Sequence, residues 1–300
     1  MIDPTTDATD ATDELAGFEA EDDFVAVVMR LSRDLRKAAE SLSETEVRYL
    51  VAAYYNIQEL RIRCAAQTQQ LCKLNRDDVI IRWLARQCEM IEGQIRAALN
   101  RFSQFHRFGA WPRSIIGIGP VIAAGLIAHH KVHIDHHANA HNTPTVGDFW
   151  SFAGLDPKVE WDRNEVRPWN ADLKVLSWKI GQSFMKQQNH PKDIYGKVYR
   201  SYKDRYIARN ESGALAPNAQ RALTNKRYSR DTIAKKAYES GRLPPAHIDA
   251  MARRAAVKLF FAHFWEVCWR IDNPNTPPPL PYPIVHLGHA HIIHPPNYPL

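Results

Sequence analysis

The sequence predicts an all-α protein, a long antiparallel coiled-coil hairpin followed by a compact helical domain. Two observations carry this. Two long stretches in the first third keep apolar residues at helical spacing with no proline to break them, and no segment of useful length alternates apolar and polar residues as a half-buried strand would.

Residues 1–23 repeat Asp-Ala-Thr and lack periodic apolar positions, so a disordered acidic tail is expected there. A helical coiled-coil region is expected over 24–108. It opens with a short amphipathic helix from Phe24 to Leu42, carried by Val27, Val28, Leu31 and Leu35. Ser43 and Glu46 then form a capping-box pair, which satisfies two orphan backbone donors at a helix start. The first long helix follows on Val47, Leu50, Val51, Tyr54, Ile57, Cys64 and Leu71. The second runs on Val79, Ile80, Trp83, Leu84, Cys88, Ile91, Ile95, Ala98 and Phe102, with the turn between them near Asn75–Asp78. Two long helices joined by so short a turn fold back on each other.

A third, compact helical region is expected over 109–272. It opens on a glycine-rich turn, passes a His-rich stretch over 129–145, and continues into a helix from Ala171 to Lys186. A basic, tyrosine-rich helix is expected over Asp193–Asn210. Pro244-Pro245 opens a last long helix over His247–Arg270, because proline is tolerated in a first helical turn. Residues 273–300 hold nine prolines and four histidines and should form an extended arm.

With 45% hydrophobic and 24% charged residues, the chain excludes a wholly disordered, collagen-like or disulfide-scaffold class. No apolar run approaches the roughly 20 residues that span a bilayer, so no membrane partner is expected. The acidic N-terminus shows no apolar leader core, and a cytoplasmic protein is expected. Cys64, Cys72, Cys88 and Cys268 form no paired motif and read as reduced core residues. The net charge of +6 conceals an asymmetry: nine acids and no Lys or Arg occupy residues 1–29, leaving +15 on the remainder. A basic body with an acidic tail suggests a polyanionic partner.

Two motifs refine that suggestion. In Ile116-Gly117-Ile118-Gly119-Pro120 a Gly-x-Gly turn precedes an Ala-rich helix. Such a turn lets backbone N–H groups approach phosphate, as in the helix-hairpin-helix elements that grip nucleic-acid backbone without reading bases. A tight turn between packed helices is the alternative. It is not a dinucleotide fingerprint, because no strand precedes it. The second motif is the segment Arg163–Lys258, with 21 basic and 8 acidic residues and a local net of +13. Tyr195, Tyr199, Tyr202 and Tyr206 recur there at spacings of 4, 3 and 4, which is a helical core stripe. That leaves Lys197, Arg200, Lys203 and Arg205 nearer solvent as phosphate contacts.

The order Gly117–Pro120, Ala153-Gly154-Leu155-Asp156-Pro157, then Trp169–Lys179 resembles the C-terminal domain of bridge-RNA-guided insertion-sequence transposases. The hairpin, the Ala171-Asp-Leu-Lys174 helix and the Pro191–Tyr199 segment also resemble the Nop domain of box C/D ribonucleoproteins. The combination is similar to the Tas proteins of TIGR systems, which pair a Nop-like domain with a short guide RNA. The resemblance covers about 43–260 and implies guide RNA and target DNA as partners, a homodimer, and a prokaryotic or phage source. It implies that Lys174 or Lys179 matches the lysine of the Nop signature helix, with Asn170 at that helix's start. Gly117, Ile118, Gly119 and Lys186 complete the expected RNA/DNA-binding set. The transposases carry a RuvC-like nuclease on a β-sheet, for which the helical first hundred residues leave no scaffold. The expectation is a binding protein without catalytic residues or cofactors. The alternative is a transposase or nuclease relative.

The histidines form two clusters: His129, His130, His133, His136, His137 and His141, then His286, His289, His291 and His294. His129 and His133 share a face if the helix extends that far. Neither cluster has the fixed ligand set a zinc site requires, and loop or RNA-contacting roles are expected instead.

Overall fold

A computed structural model describes residues 31–76, 78–137, 145–156, 159, 161–162, 164–225, 231–280 and 292–299. The expected acidic tail, Pro157, His141, His286, His289 and His291 lie outside them, as do the side chains of His133, His136 and His137. Among the described residues every regular element is helical, and no helix is long and apolar enough to cross a membrane. The chain divides into two compact units, one ending at Phe105 and one beginning at His106.

In the first unit, α1 (Arg33–Ala38) and a single 3₁₀ turn (Ala39–Ser41) lead into α2 (Glu44–Lys73) and α3 (Val79–Phe105). The capping box at the start of α2 forms as its sequence demands. Glu46 N–H donates to Ser43 Oγ at 3.3 Å, and Ser43 N–H donates to Glu46 Oε2 at 2.8 Å. Asn75, at φ 49°, turns the chain between the two helices. They pack along Val47, Val51, Tyr54 and Cys64 on one side and Cys88, Leu99 and Phe102 on the other. A buried carboxylate sits in this seam. Glu92 is buried and takes hydrogen bonds from Arg61 Nε at 2.7 Å and Gln58 Nε2 at 3.2 Å. Burial pushes its carboxyl upward, but the bonds from Arg61, Gln58 and Tyr54 outweigh that and hold it below the ordinary value. A buried charge with matched partners adds little net stability, but its bonds to Arg61 and Gln58 join the two helices. Cys72 departs from expectation: it lies on the exposed face of α2, whereas Cys64, Cys88 and Cys268 are buried.

The second unit holds α4 (Ala110–Ser114), α5 (Pro120–His137), α6 (Val146–Phe152), α7 (Ala171–Gln187), α8 (Tyr195–Glu211), α9 (Ala216–Asn225), α10 (Ile233–Glu239) and α11 (Pro245–Asp272). The hub is α11, which buries Ala252, Ala256, Val257, Phe260, Phe261, Phe264, Trp265, Val267 and Cys268. Its aromatics meet those of other helices in offset and edge geometries. Trp111 stacks on Phe260 at 5.6 Å between centroids, Phe149 on Phe261 at 4.9 Å, and Tyr195 meets Phe260 edge-on at 5.1 Å. Each such pair adds about 1 kcal/mol to the gain from burial. A smaller cluster of Leu215, Ala219, Tyr238, Leu243 and Ile248 holds α9 and α10 against this hub.

The described part of the proline-rich arm packs on this unit. Trp111 Nε1 donates to Pro296 O at 2.7 Å, and Asn297 Nδ2 donates to Ser114 O at 3.3 Å. His263 completes the attachment, with Nδ1 at 2.7 Å from Tyr195 OH and Nε2 at 2.8 Å from Ile293 O. A neutral ring that accepts from the tyrosine and donates to the carbonyl satisfies both contacts.

Two outcomes follow from this packing. Burial lowers the His263 pKa to about 4, against 6.5 for the free group. The native state resists a proton that the unfolded chain accepts. The stabilising contribution is complete above pH 6.5 and is lost as pH falls from there toward 4, about 3 kcal/mol in all. Denaturant unfolding at pH 7 and pH 4.5 should show a steeper loss for the native chain than for His263→Gln. Equal losses would refute the assignment. At Gly196 an added Cβ would lie 2.6 Å from Phe184 O and 2.7 Å from Gln188 Cα, because α8 begins hard against the end of α7. Gly196→Ala should lower stability by about 2–3 kcal/mol in the same assay.

Candidate nucleic-acid interface

The basic segment is built on α7, α8 and α11. Asn170 caps α7, its Oδ1 accepting from Leu173 N–H at 2.8 Å. Its own N–H donates to Phe152 O at 2.8 Å, which ties the start of α7 to the end of α6. Asn170 therefore sits at the helix start, as the motif requires, with its side-chain oxygen engaged by backbone. One turn on, Lys174 lays its Nζ 3.4 Å from the centre of the Trp169 ring. Trp169 meets Trp161 edge-on at 6.0 Å, and Arg167 covers the Trp161 ring at 5.4 Å. Gly154 makes room for this stack. It adopts φ +64°, and a Cβ there would lie 2.8 Å from Lys174 Cδ and 2.9 Å from Trp169 Cγ.

Lys174 also lines a pocket of about 250 Å3 together with Gly154, Trp178, Arg253 and Arg254, over a floor that includes Gly181 and Val257. Gly181 lets α7 approach α11 closely, since a Cβ there would already be 3.3 Å from both Arg253 Cβ and Val257 Cγ2. Among the described residues no carboxylate lines this pocket. Burial and then the positive charges of Arg254 and Arg167 lower the Lys174 pKa. Burial likewise lowers that of Arg254. The indole of Trp178 stands 58% exposed at this site.

The tyrosine helix resolves into an inner and an outer face. Asp193 is buried and starts α8 by accepting from Gly196 N–H at 3.0 Å and Lys197 N–H at 2.8 Å. Tyr195 and Tyr199 are core residues, while Tyr202 and Tyr206 are half-buried. Lys197, Arg200 and Arg205 are exposed. Lys197 reaches Pro191 O at 3.3 Å, Arg200 reaches Asn189 Oδ1 at 2.6 Å, and Arg205 covers the Tyr202 ring at 5.1 Å. Lys203 differs from the others. It is half-buried and lies 3.1 Å from Tyr199 OH and 3.3 Å from Asp249 Oδ1. Asp249 also takes the Tyr199 hydroxyl and faces Arg253 Nε at 3.0 Å. That last contact has charge proximity without hydrogen-bond alignment, so the Arg253 Nε–H is buried and unmatched. Lys203 is thus a member of an internal network that couples α8 to α11, with its side chain 38% exposed. Lys186 is exposed near the end of α7, and Lys179 is half-buried.

The glycine-rich turn is tighter than an open phosphate cradle. Gly117 has φ +92°, and its carbonyl accepts from Ser183 Oγ at 2.6 Å. Ile118 buries its side chain and donates its N–H to Ile115 O at 3.0 Å, so it anchors the turn. Gly119 is exposed and opens onto α5. Of the expected residues, the fold brings Lys174 into the pocket. Lys197, Arg200 and Arg205 lie along one helix, α8, and the glycine turn is held against α7 through Ser183.

Sequence reasoning passed over Arg253, Arg254, Trp178 and Trp169. Arg253 and Arg254 interrupt an otherwise apolar and small-residue run on the last helix, Ala252 to Val257. That interruption is a legible signal, but its meaning depends on what Gly181 allows to sit opposite. Among the described residues no three of His, Cys, Asp and Glu converge as a metal site would need. His129 and His130 are buried, with His129 Nδ1 at 2.7 Å from Gly125 O and the His130 ring edge-on to Phe108, Phe149 and Phe264.

No family model matches this chain, and no similar curated protein or solved structure was found.

Proposed function

We propose that the second unit binds a structured small RNA and that the chain is the Nop-like, nuclease-free, guide-RNA-holding protein of an RNA-guided DNA-targeting system. The observation that carries this is the cluster of Lys174, Arg253 and Arg254, three cations against the one carboxylate, Asp249, that pairs with them among the described residues, beside an exposed indole. Cations gathered with too few acids to match them raise the energy of the free protein, and a polyanion relieves it. The exposed Lys186, Lys197, Arg200 and Arg205 extend the positive character along α7 and α8. Indole and phenol faces beside such cations suit unpaired bases, which stack without sequence demand. Lys174 is the member of the pair with Lys179 that fits the signature lysine, because it sits one turn after the Asn170 cap and faces the pocket. On this reading target choice rests with base pairing to the guide, target DNA is the second partner, and the α2–α3 hairpin serves as a coiled coil through which two copies associate. The reading assigns the chain no bond-breaking step, and its setting is the cytoplasm of a prokaryote or a phage-infected cell.

Purification from the native host followed by sequencing of co-purifying nucleic acid should recover one discrete small-RNA population. Its absence would overturn the reading. The affinity for that RNA should fall linearly in log–log form with salt, since each neutralised phosphate releases counterions. Replacing Lys197, Arg200 and Arg205 together by alanine should lower the magnitude of that slope by about 2, since each phosphate–cation pair on a single strand adds about 0.7 to it. An unchanged slope would remove α8 from the interface.

A further inference from the structure

The pocket between α7 and α11 differs from the rest of the positive surface in being concave. Ligand sites for drug-sized molecules occupy about 300–1,000 Å3. At about 250 Å3 this one has room for the end of a strand and not for a passing helix. Its cations come from two helices, Lys174 on α7 and Arg253 with Arg254 on α11. Several cations elsewhere in the unit are matched by acids: Lys203 by Asp249, Arg107 by Asp272 at 2.7 Å, and Arg270 by Glu266 at 2.8 Å. Among the described residues of the pocket only Arg253 has an acidic neighbour, Asp249, which is shared with Lys203 and leaves the Arg253 Nε–H unmatched. Among the described residues Lys174 and Arg254 have no ion-pair partner, and Lys174 leans on an aromatic face instead.

The charge count selects the ligand. An internal phosphodiester carries one negative charge. A terminal phosphomonoester carries close to two at neutral pH and three acceptor oxygens, which suits two guanidinium forks and an ammonium. The exposed Trp178 ring at the same site offers a face to the adjoining base. Resting on the RNA reading above, we propose that this pocket captures the phosphomonoester end of an RNA strand, with the phosphate among Lys174, Arg253 and Arg254 and the terminal base against Trp178. Arg253 is held in place from behind by Asp249, and Gly154 and Gly181 keep the backbone low enough for the phosphate to enter.

The test uses the full chain and one ten-nucleotide RNA made in three forms, with a 5′-phosphate, a 3′-phosphate, or hydroxyls at both ends, each followed by fluorescence anisotropy. One phosphorylated form should bind at least tenfold more tightly than the hydroxyl form, and which one it is identifies the end. A matching nucleoside monophosphate should abolish that difference at concentrations where inorganic phosphate at equal charge does so less well. Arg254→Ala and Lys174→Gln should each reduce the preference to threefold or less. Trp178→Ala should erase the advantage of the nucleotide over inorganic phosphate. Equal affinity for all three RNAs would overturn the pocket and leave RNA binding intact. So would a preference that survives both Arg254→Ala and Lys174→Gln. Failure of every RNA to bind would overturn both readings.

Discussion

The second unit depends on the rotation of one helix. Along α11, successive side chains turn by about 100°, so burying Val257, Phe260, Phe261 and Phe264 fixes where every other residue of the helix can point. With Phe260 held by Trp111 and Tyr195, and Phe261 by Phe149, no slip of the helix is free. Arg253 and Arg254 are carried to the edge of α7 by that constraint. The aromatic core and the cationic pocket are two consequences of one register, which is why both are built on the same 28-residue helix.

Close backbone approach is the second requirement. Gly181 brings α7 onto α11 beside Arg253, and Gly196 brings α8 onto the end of α7. Gly154 clears the space in which Lys174 rests on Trp169. These glycines act through absent side chains. The two segments that enter α7 and α8 are then closed by polar caps, Asn170 and Asp193, each spending its oxygens on backbone N–H groups. Rigid helix starts of this kind hold long flexible cations in defined places, which a binding surface needs if it is to distinguish one anion from another.

Paired and unpaired charge divide the molecule by role. Glu92 with Arg61 in the hairpin, and Asp249 with Lys203 and Tyr199 between α8 and α11, are internal networks that specify how helices meet. The pocket gathers the same residue types without enough acid to match them. The contrast separates cations that serve the fold from cations that the fold leaves available, although both belong to one basic stretch of sequence. Attachment of the arm through His263, Trp111 and Ser114 adds a further internal use of polar groups.

Much of this architecture was legible in the residues. Helical periodicity locates α2, α3, α7, α8 and α11 to within a few residues, the Ser43–Glu46 pair marks a helix start, and Pro245 marks another, because each of these signals is local. The charge asymmetry and the inward stripe of Tyr195 and Tyr199 are likewise properties of the chain read in order. The sequence could not show that Ile118 is an anchor, that Lys203 is engaged by Asp249 while Lys197 is exposed, or that Cys72 faces solvent. Nor could it assemble Lys174, Trp178, Arg253 and Arg254, which stand about eighty residues apart and meet only where Gly181 permits two helices to touch. Helix formation is decided by neighbours three and four positions away, and the chain determines it alone. Which lysine stays free is decided by what packs opposite it, and only the tertiary structure supplies that partner.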